Sequence, residues 1–403
     1  MTNKSFAYLV PQFPGQTHIF FWREIAALEA QGITPVLYST TIPPQGLISH
    51  RWSQEAMART TYLASRNPAL LARILPRLPW GLILKEARRL PGREAKTFLM
   101  DVMISAPAAE KLARDCARRG ITHVHAHSCG RAALIAALAH HAYGLSYSLT
   151  LHGPLQDYGT GQRFKWRGAA FVSVITRALR DLLPGQLGDA LPQRLPLQPM
   201  GVDTSAFRRD TPYVPPVPGD PLRVFSCGRL NVVKGHQDLM QAARIMIDRG
   251  QPVQLEIAGE DDAGGTGFRK DLEHRIVDLG LEENVKLLGA ISAEAVQDKL
   301  KAAHVFVLAS WSEPLGVAYM EAMSCEVPTI GTNAGGVPEL ITSGEDGLLV
   351  PPKDPDALAE TLMRLAADPD MAKSIAQAGR ARVVAQFDSS RGADMLAREI
   401  WPS

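Results

Sequence analysis

Apolar residues along this chain fall into short continuous runs separated by longer amphipathic stretches. Val305 to Ala309 is an unbroken apolar run, which reads as a strand covered on both faces, because a strand with one wet face would alternate. Further strands are predicted at 5–10, 33–39, 123–127, 146–152, 171–176, 223–226 and 254–259. Helical spacing appears between them, as in Ile19, Trp22, Ile25, Ala26 and Leu28 with Gly32 as a stop, and again over 131–141, 236–247 and 316–325. Strand, loop and helix in repetition predict an α/β chain with parallel, doubly wound sheets, whose ligands sit beyond the carboxyl ends of the strands. Residues 203–221 break this rhythm: Pro212, Pro215, Pro216, Pro218 and Pro221 with little apolar periodicity read as a linker. The expected division is therefore 1–202 and 222–385, two facing Rossmann-like domains with a cleft between them, and a last helical stretch over 386–403.

Composition narrows the class. A chain of 403 residues is too long for one comfortable core, and 46% hydrophobic with 21% charged residues is the balance of a globular protein. The net charge of +2 leaves no global footprint for nucleic acid. The four cysteines are scattered without C-x-x-C spacing, which argues against a zinc knuckle or a disulfide framework and fits a reduced cytoplasm. The first apolar run, Phe6 to Val10, is too short for a signal-peptide core, and no run reaches the ~18 residues of a membrane span. Residues 66–96 differ from the rest, with eight basic against two acidic residues beside Leu70, Leu71, Ile74, Trp80 and Leu84. That mixture suits an interfacial segment on anionic lipid as well as a basic surface packed on its own domain; Pro76, Pro79 and Pro91 rule out one continuous helix.

Candidate chemistry clusters at the predicted strand ends. Glu313 and Glu321 stand seven residues apart; eight helical steps would separate their backbones by up to ~12 Å, more than the ~5 to 9.5 Å of a glycosidase pair, and so suit the two ends of a polyhydroxylated ligand. Between them Leu315, Gly316 and Val317 offer backbone N–H groups at a helix start, where an anion can approach closely. Cys227 to Gly235 places Arg229 and Lys234 with two glycines at a strand-to-helix junction, an anion site that lacks the Walker pattern. His152, followed by Gly153-Pro154, ends a parallel strand where a cleft would lie. Gly15 lies in the first such loop, Pro14 to His18. His123, His125 and His127 alternate on one strand face, but no carboxylate or cysteine is spaced to complete a metal site with them; Glu260, Asp261 and Asp262 invite a divalent ion, whose positive charge Arg229 and Lys234 already supply. Glu339, at a helix start, faces a ligand or caps its helix.

Taken together, Arg229-x4-Lys234-Gly235 and Glu313-x7-Glu321 resemble the nucleotide-sugar signature of the retaining glycosyltransferases of the GT-B fold, family 4, also called glycosyl transferases group 1. The resemblance implies that Arg229 and Lys234 bind the donor diphosphate, that Glu313 lies near the transferred sugar and Glu321 on the nucleotide ribose, and that His152 sits close to the sugar. Glu313 and His152 are then the catalytic candidates. Gly153 departs from the aspartate common at that place, and the first loop is poorer in glycine than the family's. The resemblance also implies an acceptor-binding first domain, a nucleotide-sugar-binding second domain, and a last helix crossing back to the first. Phe13-Pro14, Thr17 to Phe20 and Arg23-Glu24 are similar to exopolysaccharide members, which points to a polyprenyl-linked saccharide acceptor. The expected enzyme is a metal-independent, retaining hexosyltransferase using a UDP- or GDP-sugar, with no cofactor and no nucleic-acid partner. Its expected place is the cytoplasm, with 66–96 as the segment that could hold it to the inner face of the membrane. Two rivals share the motifs: a nucleotide-sugar epimerase of related fold and a non-catalytic nucleotide-sugar-binding subunit.

Overall fold

Runs of apolar residues without alternation fold here as two all-parallel six-stranded sheets, each with helices on both faces. The computed structural model describes residues 4–15, 19–43, 52–261 and 267–402. Its first unit comprises Met1–Pro199 with Gly392–Ser403, and its second Met200–Arg391. In the first, β1 (Ser5–Gln12), β2 (Thr34–Thr41), β3 (Thr61–Tyr62), β4 (His123–His127), β5 (Ser146–Leu151) and β6 (Val172–Val174) lie in the order β3-β2-β1-β4-β5-β6. The second repeats this with β7 (Leu222–Cys227), β8 (Val253–Ala258), β9 (Val285–Gly289), β10 (Val305–Val307), β11 (Thr329–Thr332) and β12 (Leu348–Val350), ordered β12-β11-β10-β7-β8-β9. Each sheet is thus doubly wound, with its direction of winding reversing between β1 and β4 or between β7 and β10, and the crevice at that reversal is where such sheets take ligands.

The proline-rich stretch 203–221 packs against the rest of the second unit: the Tyr213 hydroxyl donates to the His304 carbonyl at 2.6 Å, and Arg209 donates to the Cys325 carbonyl at 2.6 Å while its guanidinium covers the Tyr213 ring. One aromatic and one arginine supply the anchoring that the prolines conceal. The final helix, Ser390–Ile400, turns Ala393, Met395 and Leu396 into a core with Phe6, Tyr8 and Phe21 of the first unit.

Over 66–96 each proline marks a break, as its missing N–H and ring demand. Helix Pro68–Ile74 passes into a short 3-10 turn containing Pro76, Pro79 caps the helix Trp80–Ala87, and Pro91 precedes the helix Gly92–Arg119. Ile74 and Ile83 point inward, whereas Trp80, Leu84 and all of Arg73, Arg77, Lys85, Arg88 and Arg89 are exposed. Among the described residues no helix is long and apolar enough to cross a membrane.

Candidate functional site

At the reversal of the second sheet, the loops after β7 and β10 are tied together. The Trp311 N–H donates to the Val233 carbonyl at 2.8 Å and its indole N–H to Asp238 Oδ2 at 2.5 Å, which joins the loop carrying Glu313 to the loop and helix carrying Lys234. Gly235 (φ +69°) makes this approach possible, since a Cβ there would stand 1.9 Å from the Ala309 carbonyl oxygen.

Lys234 Nζ donates to Glu313 Oε2 in an ion pair, and Ser310 Oγ stands 3.3 Å from the same oxygen. Glu313 is buried, with 8% exposure, and its backbone is held too: its carbonyl accepts from the Gly336 N–H at 2.8 Å. Gly335 (φ +63°) lies flat on that backbone, where a Cβ would be 2.1 Å from the Glu313 carbonyl oxygen. Thr332 at the end of β11 donates to the Ser310 carbonyl at 2.5 Å, so three successive strand ends hold one carboxylate.

Glu321 lies on the helix Val317–Ser324, whose start is Gly316 in a left-handed conformation. Its charge is felt at Cys227, whose thiol is pushed up to about 12, first by burial and then by Glu321, with Lys234 acting against both. Lys234, Glu313 and Glu321 are therefore gathered around the end of β7. Arg229 is exposed on the loop between Cys227 and Lys234; Gly316 and Val317 are half-buried and Leu315 is buried. Glu339 is at the start of the helix Val337–Leu340, which Arg382 steadies by donating to the Glu339 carbonyl at 3.0 Å. Of the acidic run, Glu260 pairs with Arg269 at 2.8 Å and Asp261 accepts from the Arg269 N–H at 3.2 Å, while Asp262 lies outside the described residues. Among the described residues no three acidic, histidine or cysteine side chains are placed to hold a metal ion.

In the first unit Gly15 is buried just past β1, in a loop fixed by the Phe13 N–H donating to Ser39 Oγ at 3.0 Å and Tyr62 donating to the Phe13 carbonyl at 3.1 Å. Gln16, Thr17 and His18 lie outside the described residues. His152, half-buried beyond β5, has its Nε2 at 3.2 Å from His127 Nδ1. The nitrogens of His123 and His125 are occupied differently, each bridging hydroxyls of Ser146, Ser148 and Thr150 on β5 at 2.8–3.0 Å. Sequence reading missed Ser310, Trp311, Thr332 and the partners of His152, because none carries a motif. Their signal is position: Thr332 and His127 close their strands, and Ser310 and Trp311 lie three and four residues past β10.

Residues 208–382 match the family model described as glycosyl transferases group 1. Over 353 residues the chain is 29% identical to alpha-D-kanosaminyltransferase of Streptomyces kanamyceticus, an alignment spanning 82% of this chain and 89% of that protein. It is 33% identical over 174 residues to the amylovoran biosynthesis glycosyltransferase AmsK of Erwinia amylovora, 42% of each chain. Among solved structures, HepE of Anabaena in complex with UDP-glucose superposes with a TM-score of 0.75 at 18% identity, covering 98% of both chains. At that identity the likeness speaks for fold, and the fold is GT-B.

Proposed function

We propose that the chain is a retaining glycosyltransferase moving a hexose from a UDP- or GDP-linked donor to a polyprenyl-linked saccharide, a reading supported by the match of residues 208–382 to the glycosyl transferases group 1 model. The observation that carries this reading is the Lys234–Glu313 pair at the reversal of the second sheet, with Arg229 on the same loop and Glu321 close by. In the resting protein Glu313 occupies the lysine. On donor binding the diphosphate takes Lys234 and Arg229 as its cations, and Glu313 is released toward the sugar. Departure of the diphosphate builds negative charge that Arg229, Lys234 and the backbone N–H groups following Gly316 stabilise. With two cations already in place, the reaction proceeds without a metal. No carboxylate is assigned as covalent nucleophile; the acceptor enters on the face that the leaving phosphate vacates and gives its proton to that phosphate. The relative named for amylovoran biosynthesis supports an exopolysaccharide setting.

Attachment to the membrane surface belongs to the same proposal. Exposed Arg73, Arg77, Arg88 and Arg89 flank exposed Trp80 and Leu84, and basic residues contribute about 1 kcal/mol each near an anionic surface. Binding should weaken with salt, exposed charges being screened over ~8 Å at physiological ionic strength. Equal pelleting with anionic vesicles by the parent and by the fourfold Arg→Glu variant, or none by either, would return this segment to a basic surface.

The transfer itself is tested by a screen of UDP- and GDP-sugars for acceptor-dependent release of nucleoside diphosphate. Epimerised donor in the absence of acceptor would favour the rival enzyme class, and binding without release the non-catalytic one.

A further inference from the structure

The helix Gly92–Arg119 is apolar on two sides. Phe98, Val102 and Ala106 turn into the core of the first unit. On the outer side Ala95, Lys96, Leu99, Met100, Met103 and Ile104 recur in pairs four residues apart, which makes them one stripe, and they line an open groove of about 590 Å³. From Gly92 to Ile104 the stripe runs for ~18 Å. Met100 and Ile104 are each 54% exposed and Met103 is 38% exposed. Contiguous apolar surface left open in this way marks a place where something binds.

Charge around the groove selects the occupant. Lys96 lines it, and Arg88, Arg89 and Arg93 are exposed at or just before the start of the helix. Among the acids of this stretch Glu86 is buried, Glu94 is exposed, and Asp101 lies close enough to the buried Lys165 to act on its ammonium. The frame is therefore positive. A second copy of the chain meeting this face through a two-fold axis would set cations against cations, whereas a lipid phosphate meets them with opposite charge. Met100 and Met103, unbranched and polarizable, suit an irregular hydrocarbon chain.

The inner face of the same helix favours the acceptor's own lipid over the bulk bilayer. Gly161 ends the loop that leaves His152, and with φ +72° it lies so close to the helix that a Cβ there would stand 2.2 Å from the Phe98 ring. Lys165 and Gln162 then hold that loop, donating to the Tyr158 carbonyl at 2.8 and 3.0 Å. The groove and the loop beyond His152 are thus two sides of one helix, ~10 Å thick.

We propose that this groove binds the isoprenoid chain of a polyprenyl-phosphate-linked acceptor, the chain lying along Leu99, Met100, Met103 and Ile104 and the phosphate at Lys96 and Arg93. The inference rests on the lipid-linked acceptor proposed above and adds where that lipid is held; its measurement needs no sugar transfer.

The probe is a polyprenyl phosphate with a diazirine in its isoprenoid chain, dilute in phosphatidylcholine nanodiscs, irradiated with the full chain before trypsin digestion. Label is expected on the peptide Thr97–Lys111, removed by excess unlabelled polyprenyl phosphate but not by the same amount of phosphatidylglycerol. It should fall at least about tenfold in Met100→Asp/Ile104→Asp, which loses the apolar surface, and about fivefold in Lys96→Glu, which loses only the phosphate contact. All three positions are exposed, and a circular dichroism melt equal to the parent's shows that the variants fold; should the double variant not fold, Lys96→Glu and the competition decide. Label on other peptides only, equal competition by phosphatidylglycerol, or a concentration-dependent dimer of the parent that the double variant abolishes overturns the proposal. Selective label on a chain that transfers no sugar would uphold the groove and end the transferase reading, while transfer to a lipid-linked acceptor without label here would end the groove alone.

Discussion

Replacing Glu313 by Gln should tighten nucleotide binding while slowing transfer. In the resting protein Glu313 and Lys234 neutralise one another with their side chains only 11% and 15% exposed. Gln keeps the shape of the side chain and removes the charge that competes with the diphosphate for the lysine. Opposite charges at ~4 Å with an effective dielectric near 20 attract by about 4 kcal/mol. Desolvation offsets much of that in a partly buried pair, so about 1–2 kcal/mol becomes available to a phosphate ligand, equivalent to about 5- to 30-fold in affinity. Transfer moves the other way, because the sugar loses a charge-assisted partner worth about 1.5–3 kcal/mol, or about 10- to 150-fold in kcat. Lys234→Ala should weaken nucleotide binding by a similar 1.5–3 kcal/mol or so and also destabilise the fold by about 2–3 kcal/mol, since it strands the more buried partner. Titration calorimetry with UDP and GDP on the parent, both single variants and the double variant provides the cycle. If Glu313→Gln weakens nucleotide binding as much as Lys234→Ala does, the carboxylate is no competitor, and its task is to hold the lysine in place for the phosphate.

Three other outcomes are expected. Arg229→Ala should lower transfer by about 10- to 150-fold without loss of fold, as an exposed side chain with one phosphate contact would; near-normal turnover would remove it from the donor site. Gly335→Ala should cost more than about 2 kcal/mol in a denaturation curve and misplace Glu313, because the new Cβ meets the Glu313 backbone in a left-handed conformation; a variant of parental stability and activity would contradict the packing. Burial holds His123 and His236 at about 4 and His127 at about 3, so the folded chain binds fewer protons than the unfolded one below the usual value of about 6.5. Stability should therefore be full above pH ~6.5 and fall by up to about 1.4 kcal/mol per pH unit for each of these histidines as the pH drops toward ~4; flat stability across that window would show that they are not buried neutral.

The fold was legible because continuous apolar runs and helical spacings recur in a fixed order, and parallel sheets require such runs. The placement of the candidate residues was legible because Arg229, Lys234 and Glu313 lie on loops past strand ends and Glu321 on the helix that follows, where position in the chain predicts position in space. The pairing of Lys234 with Glu313 was not, since 78 residues separate them in the chain and only the neighbouring order of β7 and β10 brings them together. For 203–221 the prolines mark a linker at a domain boundary, while the side chains that pin it, Arg209 and Tyr213, look ordinary in the sequence. His127 is a third case. Alternating histidines invite a metal, while the decisive fact, that each faces a hydroxyl, a carboxylate or another imidazole, depends on the register of β4 with β5.

The central claim is that a hexose leaves its nucleotide and keeps its anomeric configuration. Proton NMR of the reaction mixture at early times reads it directly, through the anomeric coupling of the donor and of the newly formed glycoside, with nucleoside diphosphate release measured in the same tube. An α-linked donor giving an α-linked product, one nucleoside diphosphate released per glycosidic bond, with the same result in EDTA, is the outcome expected; a β-linked product, or bond formation that stops on chelation and resumes with magnesium, would contradict the account.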